Sequence, residues 1–210
     1  MRRYQIFVLS VTGLLLLYGC NINKVNADKD KLPVIEKGSF TDSRDGLVYK
    51  TIKVNDQVWF AENLDYKLDK SSYYDNDSIN FSKFGRFYSY ENAKKACPPG
   101  WHIPDTNEWL VLVNNFGGKK KAGGNLKALS DWKNSNFPST NSSGFSVLPS
   151  GYYDIQMDKF FLNGVNATFW CFQGKDSSDQ KYVSIYYDEP SVIIIKPYKT
   201  YSLSIRCIKD

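Results

Sequence analysis

Apolar residues recur along this chain in two rhythms, and each predicts a different element. From Leu47 to Val54 they alternate with polar ones, which predicts a strand. Leu47, Tyr49 and Thr51 share one face, with Val48, Ile52 and Val54 partly on the other. A short turn at Asn55-Asp56 leads into a second strand, Gln57 to Ala61, which carries Trp59. A helical rhythm follows Pro104: Trp109, Leu112, Val113 and Phe116 fall at i, i+3, i+4 and i+7. Asp105 and Glu108 stand at capping-box spacing, and Gly117-Gly118 ends the helix. A shorter helix is expected over Ser89 to Ala96, with Ser89 as N-cap and Pro98-Pro99 as its stop. Tyr66 to Lys83 shows neither rhythm and reads as a long loop.

From Phe145 onward the pattern is β. The expected runs are 145–148, 160–162, 168–172, 182–187, 192–195 and 201–208, separated by Gly, Asn and Pro. Two helices followed by a strand-rich half make an α+β pattern without internal repeats. Composition agrees: aromatic residues reach 16% while alanine and leucine are scarce, which favours strands over long helices. Turn chemistry at Thr41-Asp42-Ser43-Arg44-Asp45-Gly46 places the start of the domain near Phe40. Residues 40–210 suffice for one domain with its own core.

The N-terminus follows another logic. Arg2 and Arg3 precede a mostly apolar stretch, Ile6 to Leu17, too short to span a bilayer comfortably. It ends in Leu17-Tyr18-Gly19-Cys20, which resembles the lipobox of bacterial lipoproteins, although Tyr18 is bulkier than the small residue usual there. The resemblance implies a signal peptide over 1–19, acylation of Cys20, and a flexible tether over 20–39 rich in Asn, Lys and Asp. An ordinary signal peptide or an anchor helix with an incidental cysteine is the competing reading. The lipid anchor would make the membrane a partner and place the domain in the cell envelope, at the outer membrane. Asn21-Ile22-Asn23-Lys24 lacks the acidic run that resembles a surface-export signal, so the leaflet stays open.

Charge excludes one class of partner. The chain has 27 basic and 22 acidic residues, a net charge of +5. Loss of Arg2 and Arg3 would lower it to +3, too small and too evenly spread to imply nucleic acid. Lys119-Lys120-Lys121 lies between glycines and reads as a solvated loop. The single histidine, His102, excludes a multi-histidine metal site, and no cofactor is expected. Three cysteines remain once Cys20 is lipidated, and spacing alone does not choose among their three pairings.

Several segments in order carry a family resemblance. They include Asp45-Gly46-Leu47-Val48-Tyr49, Trp59-Phe60-Ala61-Glu62-Asn63-Leu64, and Gly85-Arg86-Phe87-Tyr88. Cys97-Pro98-Pro99-Gly100-Trp101-His102-Ile103-Pro104, Gly144-Phe145-Ser146-Val147-Leu148-Pro149 and Ser204-Ile205-Arg206-Cys207 complete the set. Together they resemble the Fibrobacter succinogenes major paralogous domain, common in bacterial cell-surface proteins and lipoproteins, over essentially residues 40 to 210. That family has no established activity. The order of elements also resembles a C-type-lectin-like fold shared with formylglycine-generating enzymes, with two short helices and a twisted, mainly antiparallel sheet. In that fold a cysteine ending the first helix bonds to one in the last strand, which implies a Cys97–Cys207 disulfide here, against alternatives involving Cys171.

The same resemblance weighs the remaining chemistry. Cys171 stands where the family usually carries a small hydroxyl residue, and it is expected as a buried, inert thiol. His102 has Asp105 and Glu108 close by in sequence but is expected to hydrogen-bond backbone at the start of the second helix. Calcium-dependent lectins use Glu-Pro-Asn or Gln-Pro-Asp and a later Trp-Asn-Asp. Here Glu189-Pro190-Ser191 lacks the amide, and Trp170 precedes Cys171-Phe172. The oxygen-rich stretches at Asp75-Asn76-Asp77 and 176–179 read as solvated loops, so no metal site is expected. A formylglycine-generating reaction needs two neighbouring cysteines, and only Cys171 is left over. No catalytic residue is therefore expected.

The expected function is a non-enzymatic envelope lipoprotein that binds a glycan, a cell-wall polymer or a surface protein. The alternatives are a structural component of a surface or fimbria-like assembly, or an unrecognised enzyme in which His102 or Cys171 meets a carboxylate within a pocket. Trp59, Trp101, Trp109 and Trp170 are expected in the core. Tyr73, Tyr74, Tyr153, Phe160, Phe161, Tyr186 and Tyr187 are the candidates for an exposed ligand-binding patch.

Overall fold

Strand pairing begins earlier than the turn chemistry suggested. The computed structural model describes residues 33–172, 180–196 and 200–210. In it β1 (Ile35–Thr41) runs antiparallel to β2 (Val48–Val54), with Ile35 opposite Val54 and Thr41 opposite Val48. Residues 35–39, expected in the tether, are therefore part of a sheet. The polar composition misled because β1 is an edge strand whose side chains are mostly solvent-facing. The turn between the strands closes as Asp42 N–H donates to Leu47 O and Gly46 N–H to Asp42 O. Arg44 holds the buried Asp42 carboxylate through Nε and Nη2 and lies 3.7 Å over the Tyr66 ring.

The hairpin continues into β3 (Gln57–Phe60), as the Asn55-Asp56 turn predicts. From Tyr49 onward both faces of β2 are buried at Tyr49, Thr51, Ile52 and Val54, whereas Leu47 and Val48 face solvent. The sheet is completed from far away. β12 (Ile208–Lys209) inserts between β3 and β5 (Trp101–His102), giving the order β1-β2-β3-β12-β5, antiparallel throughout.

Two further antiparallel sheets correct the expectation of a single one. β10 (Val192–Ile195), β9 (Gln180–Tyr186) and β8 (Asn166–Phe172) form the second. β4 (Tyr88–Ser89), β11 (Tyr201–Leu203), β6 (Tyr152–Asp154) and β7 (Lys159–Phe161) form the third. The run read as one strand from Tyr201 to Ile208 is split between them. After β11 the chain trades bonds with β8, Ser204 N–H to Thr168 O and Trp170 N–H to Ser204 O, and then enters the first sheet as β12. One apolar pattern thus serves three sheets. Residues 145–148 are not a strand either, and only Val147 bridges Lys127.

The helix signals held where they were local. α3 (Thr106–Asn115) has the full capping box, with Glu108 N–H donating to Asp105 and Asp105 N–H to Glu108. Trp109, Leu112, Val113 and Phe116 are buried. α2 (Tyr90–Ala93) is capped by Ser89 but spans one turn only, ending short of Ala96. Two helices were not foreseen. α1 (Ser78–Phe81) starts inside the presumed loop, where the Asp77 carboxylate accepts from the Ile79 and Asn80 amides. α4 (Ala122–Leu126) contains Gly123 and Gly124 against its propensity. A Cβ at Gly123 would lie 2.8 Å from Pro190 O, the oxygen that its amide bonds, so packing rather than propensity places it.

Alternation in β3 and β8 sends neighbouring side chains into two cores. Trp59, Phe169 and Cys171 join Trp109, Phe116 and Phe145 in one; Phe60 and Trp170 join Tyr49, Tyr88 and Trp101 in the other. All four tryptophans expected inside are buried. Gly151 precedes β6 with φ +74°, and a Cβ there would sit 2.1 Å from Phe161 O, so only glycine fits.

Candidate functional site

The sole histidine sits where two distant segments meet. Pairing of β12 with β5 places Ile208 opposite His102, and Asp210 N–H donates to Gly100 O. This brings Asp210 Oδ1 to 2.6 Å from His102 Nδ1. On the other side of the ring, the first turn of α3 sets Glu108 Oε1 2.9 Å from Nε2. The other Glu108 oxygen accepts from Asp105 N–H at 2.7 Å, which fixes the carboxylate. The group lines a cavity of about 590 Å³ together with Lys94, Phe172 and Lys209.

Here the structure corrects the sequence reading, since the partners of His102 are two carboxylates rather than backbone. The hydrogen bond to Glu108 raises its pKa, burial opposes this, and the bond to Asp210 adds to the rise. Two carboxylates flank the ring, and donation to both at once requires the imidazolium form, which the raised pKa favours. A general base needs a free nitrogen lone pair, and this ring offers none while both bonds stand.

A pH dependence follows from the direction of the shift. A folded-state pKa above the unfolded value contributes stability that is fully present below the unfolded pKa, about 6.5. That contribution is lost as pH rises through the higher folded value. Urea midpoints of the native chain should therefore fall over this interval, and those of His102→Gln should fall less. Parallel curves would show that the ion pairs contribute nothing.

Cys171 is the free cysteine among the described residues, fully buried in β8. Burial pushes its thiol up to about 11, and its polar neighbour is Thr106 Oγ1 at 3.6 Å. This agrees with an inert core thiol. A Cys20→Ser chain should resist an aromatic disulfide reagent and release one equivalent of thiol only on unfolding. Rapid reaction in the folded state would contradict the burial. Cys97 and Cys207 form the disulfide that the resemblance implied, with Cα atoms 5.9 Å apart.

The seven aromatic candidates do not form one patch. Tyr153 lies opposite Phe160, and Tyr152 opposite Phe161, so the β6–β7 hairpin sends the two pairs to opposite faces. On one face a continuous strip of half-buried rings runs Tyr153, Phe160, Tyr74, Phe81, with centroids 4.7, 5.2 and 5.1 Å apart. On the other, Phe161 and Tyr152 lead to Tyr201 and Tyr182. Burial, with Tyr186 among the smaller causes, raises the pKa of Tyr152 and Tyr182, which places Tyr186 beside this second group. Tyr73 stands apart under Arg86 and donates to Asp65, while Tyr187 faces Lys133. Cys20 and residues 176–179 lie outside the described residues. Asp77 is engaged in capping α1, and no metal-binding group of His, Cys, Asp or Glu occurs among the described residues.

Two buried cations escaped the sequence reading. Lys127 donates to the carbonyls of Tyr187 and Glu189, and burial lowers its pKa to about 8. Arg206, 1% exposed, donates to Asn63 Oδ1 and to the carbonyls of Phe60, Phe145 and Ser146. Its guanidinium also faces the Phe145 ring at 4.7 Å, and burial lowers its pKa to about 9. The available signal was a charge inside the apolar run Ser204-Ile205-Arg206-Cys207.

These features define a strand-rich α+β domain with antiparallel sheets whose end is clipped to its middle. The family model of the Fibrobacter succinogenes major domain matches residues 52–209, and the chain belongs to that family. No curated protein and no solved structure matches it.

Proposed function

We propose that the chain is an envelope lipoprotein, acylated at Cys20, whose domain is C-type-lectin-like in plan and binds a glycan without transforming it. The observation that carries this reading is the strip Tyr153–Phe160–Tyr74–Phe81, four rings in contact and only half covered. Aromatic faces offer large contact area at low entropic cost, and they stack on the apolar faces of sugars. The non-enzymatic part is supported by the doubly bonded His102 and the buried Cys171. No helix among the described residues is long and apolar enough to cross a membrane.

A glycan and polysaccharide array probed with the chain from Asn21 onward tests the reading. At least one glycan should bind, and Tyr153→Ala should weaken that signal. Uniform silence would overturn it in favour of an assembly role. One observation favours that second reading: β10, an edge strand, carries the wholly apolar run Val192-Ile193-Ile194-Ile195, with a charge only after its end at Lys196.

A further inference from the structure

The cavity floored by Arg206 differs in kind from the aromatic strip. It has a volume of about 520 Å³ between β1, β2 and the loop 141–148, and no aromatic side chain lines it. Four cations, Lys37, Lys50, Lys83 and Arg206, meet there with one acid, Glu62. Lys50 is paired with Glu62 at 2.9 Å, and Lys83 is paired with Asp131. Lys37 and Arg206 have no acidic hydrogen-bond or ion-pair partner among the described residues. Glu62 attracts Arg206 at longer range, but its oxygens already accept from the Lys50 side chain and amide.

The wall of the cavity is preorganised. Asn141 and Ser146 both adopt left-handed backbone, φ 48° and 54°, a conformation that costs energy in residues other than glycine. They are latched to each other, Asn141 Nδ2 to Ser146 Oγ and Ser146 N–H to Asn141 Oδ1. Arg206 holds the same loop from beneath through Phe145 O and Ser146 O. Strain maintained by a fully buried cation is an arrangement that a solvated surface loop does not need.

We propose that this cavity binds the carboxylate of an acidic sugar, a uronate, with Lys37 as its principal counter-charge. The volume falls in the range of small-ligand sites, roughly 300–1,000 Å³. Ile35, Ala61 and Leu148 offer apolar surface to a sugar's C–H face. A neutral sugar would find no ring to stack on. A phosphate is poorly served, because Arg206 has four of its five N–H groups committed and cannot act as a bidentate clamp. The remaining attraction comes from lysine point charges and suits a single negative charge. The inference is independent of the aromatic strip.

Isothermal titration of the full-length chain in detergent tests it, with galacturonate and glucuronate as probes and galactose and inorganic phosphate as comparisons. A uronate trimer beside the monomers tells a polymer ligand from a free acid. At low salt at least one uronate should bind about tenfold or more tighter than galactose and tighter than phosphate, and salt should weaken it. Lys37→Glu, at an exposed position on β1, should reduce uronate affinity about tenfold, and Lys37→Arg should retain it. Equal binding of galactose, tighter binding of phosphate, indifference to Lys37→Glu, or absence of heat with every uronate would each overturn the proposal. Array binding to neutral glycans would survive any of these results, so the two readings fail separately.

Discussion

Replacing both Cys97 and Cys207 by alanine should lower the unfolding free energy by about 3 to 5 kcal/mol and the thermal midpoint by roughly 10 °C. The bond closes a loop of 110 positions, so its loss releases a large conformational freedom in the unfolded chain. The folded state offers little to offset this. β12, which follows the bond, is held by three residue pairs: Ile208 with Trp59, Ile208 with His102, and Lys209 with Trp101. Both cores then lose an edge, because Ile208 packs in one and Cys207 in the other. Calorimetry of the double variant against the native chain checks this. Midpoints within about 2 °C of each other would mean that the hydrogen bonds of β12 suffice alone.

Arg206→Met should cost about 3 to 5 kcal/mol, an effect of similar size from a different cause. Methionine fills much of the volume but leaves Asn63 Oδ1 and three carbonyls without their donor. Buried acceptors stripped of a partner bear their full desolvation cost. Arg206→Lys should recover only part of the loss, since an ammonium carries three donors and cannot span four oxygens arranged around a plane. Urea unfolding of the two variants separates the cases. If methionine were tolerated within about 1 kcal/mol, the guanidinium would be dispensable to the loop 141–148.

What the sequence made legible was local. The capping box of α3 and the hydrophobic stripe from Trp109 to Phe116 lie within a dozen residues, and they appear as read. The turn at Asp42–Gly46 and the hairpin after it obey the same rule, since a turn and two strands are written side by side. The disulfide came through family resemblance, because spacing left three pairings open. The features that failed depend on partners far along the chain or on side chains that face solvent. β1 looked like tether because an exposed edge strand has polar side chains and shows its role only once β2 is in place. Of the two carboxylates on His102, Glu108 was in view but passed over for backbone, while Asp210 is distant in sequence and arrives with β12. Nothing near Arg206 announces four oxygen partners from two other segments. The aromatic candidates were legible as residues outside the family motifs, but the hairpin that divides them was hidden, since β6 and β7 are three residues each and depend on Gly151.

The position of β12 also sets an order of events in time. A chain that emerges N-terminus first presents β3 and then β5 long before Ile208, the residue that must lie between them. Until it arrives, the Trp59–Phe60 edge has no neighbour on that side, and neither core is sealed. Closure of the sheet is therefore a late, non-local event, of the kind that folds slowly and exposes strand edges meanwhile. Cys207, one residue earlier, is carried to Cys97 by the same movement. Docking of the strand and oxidation of the thiols are thereby coupled, so an oxidant is needed only after the residues between Cys97 and Cys207 have appeared.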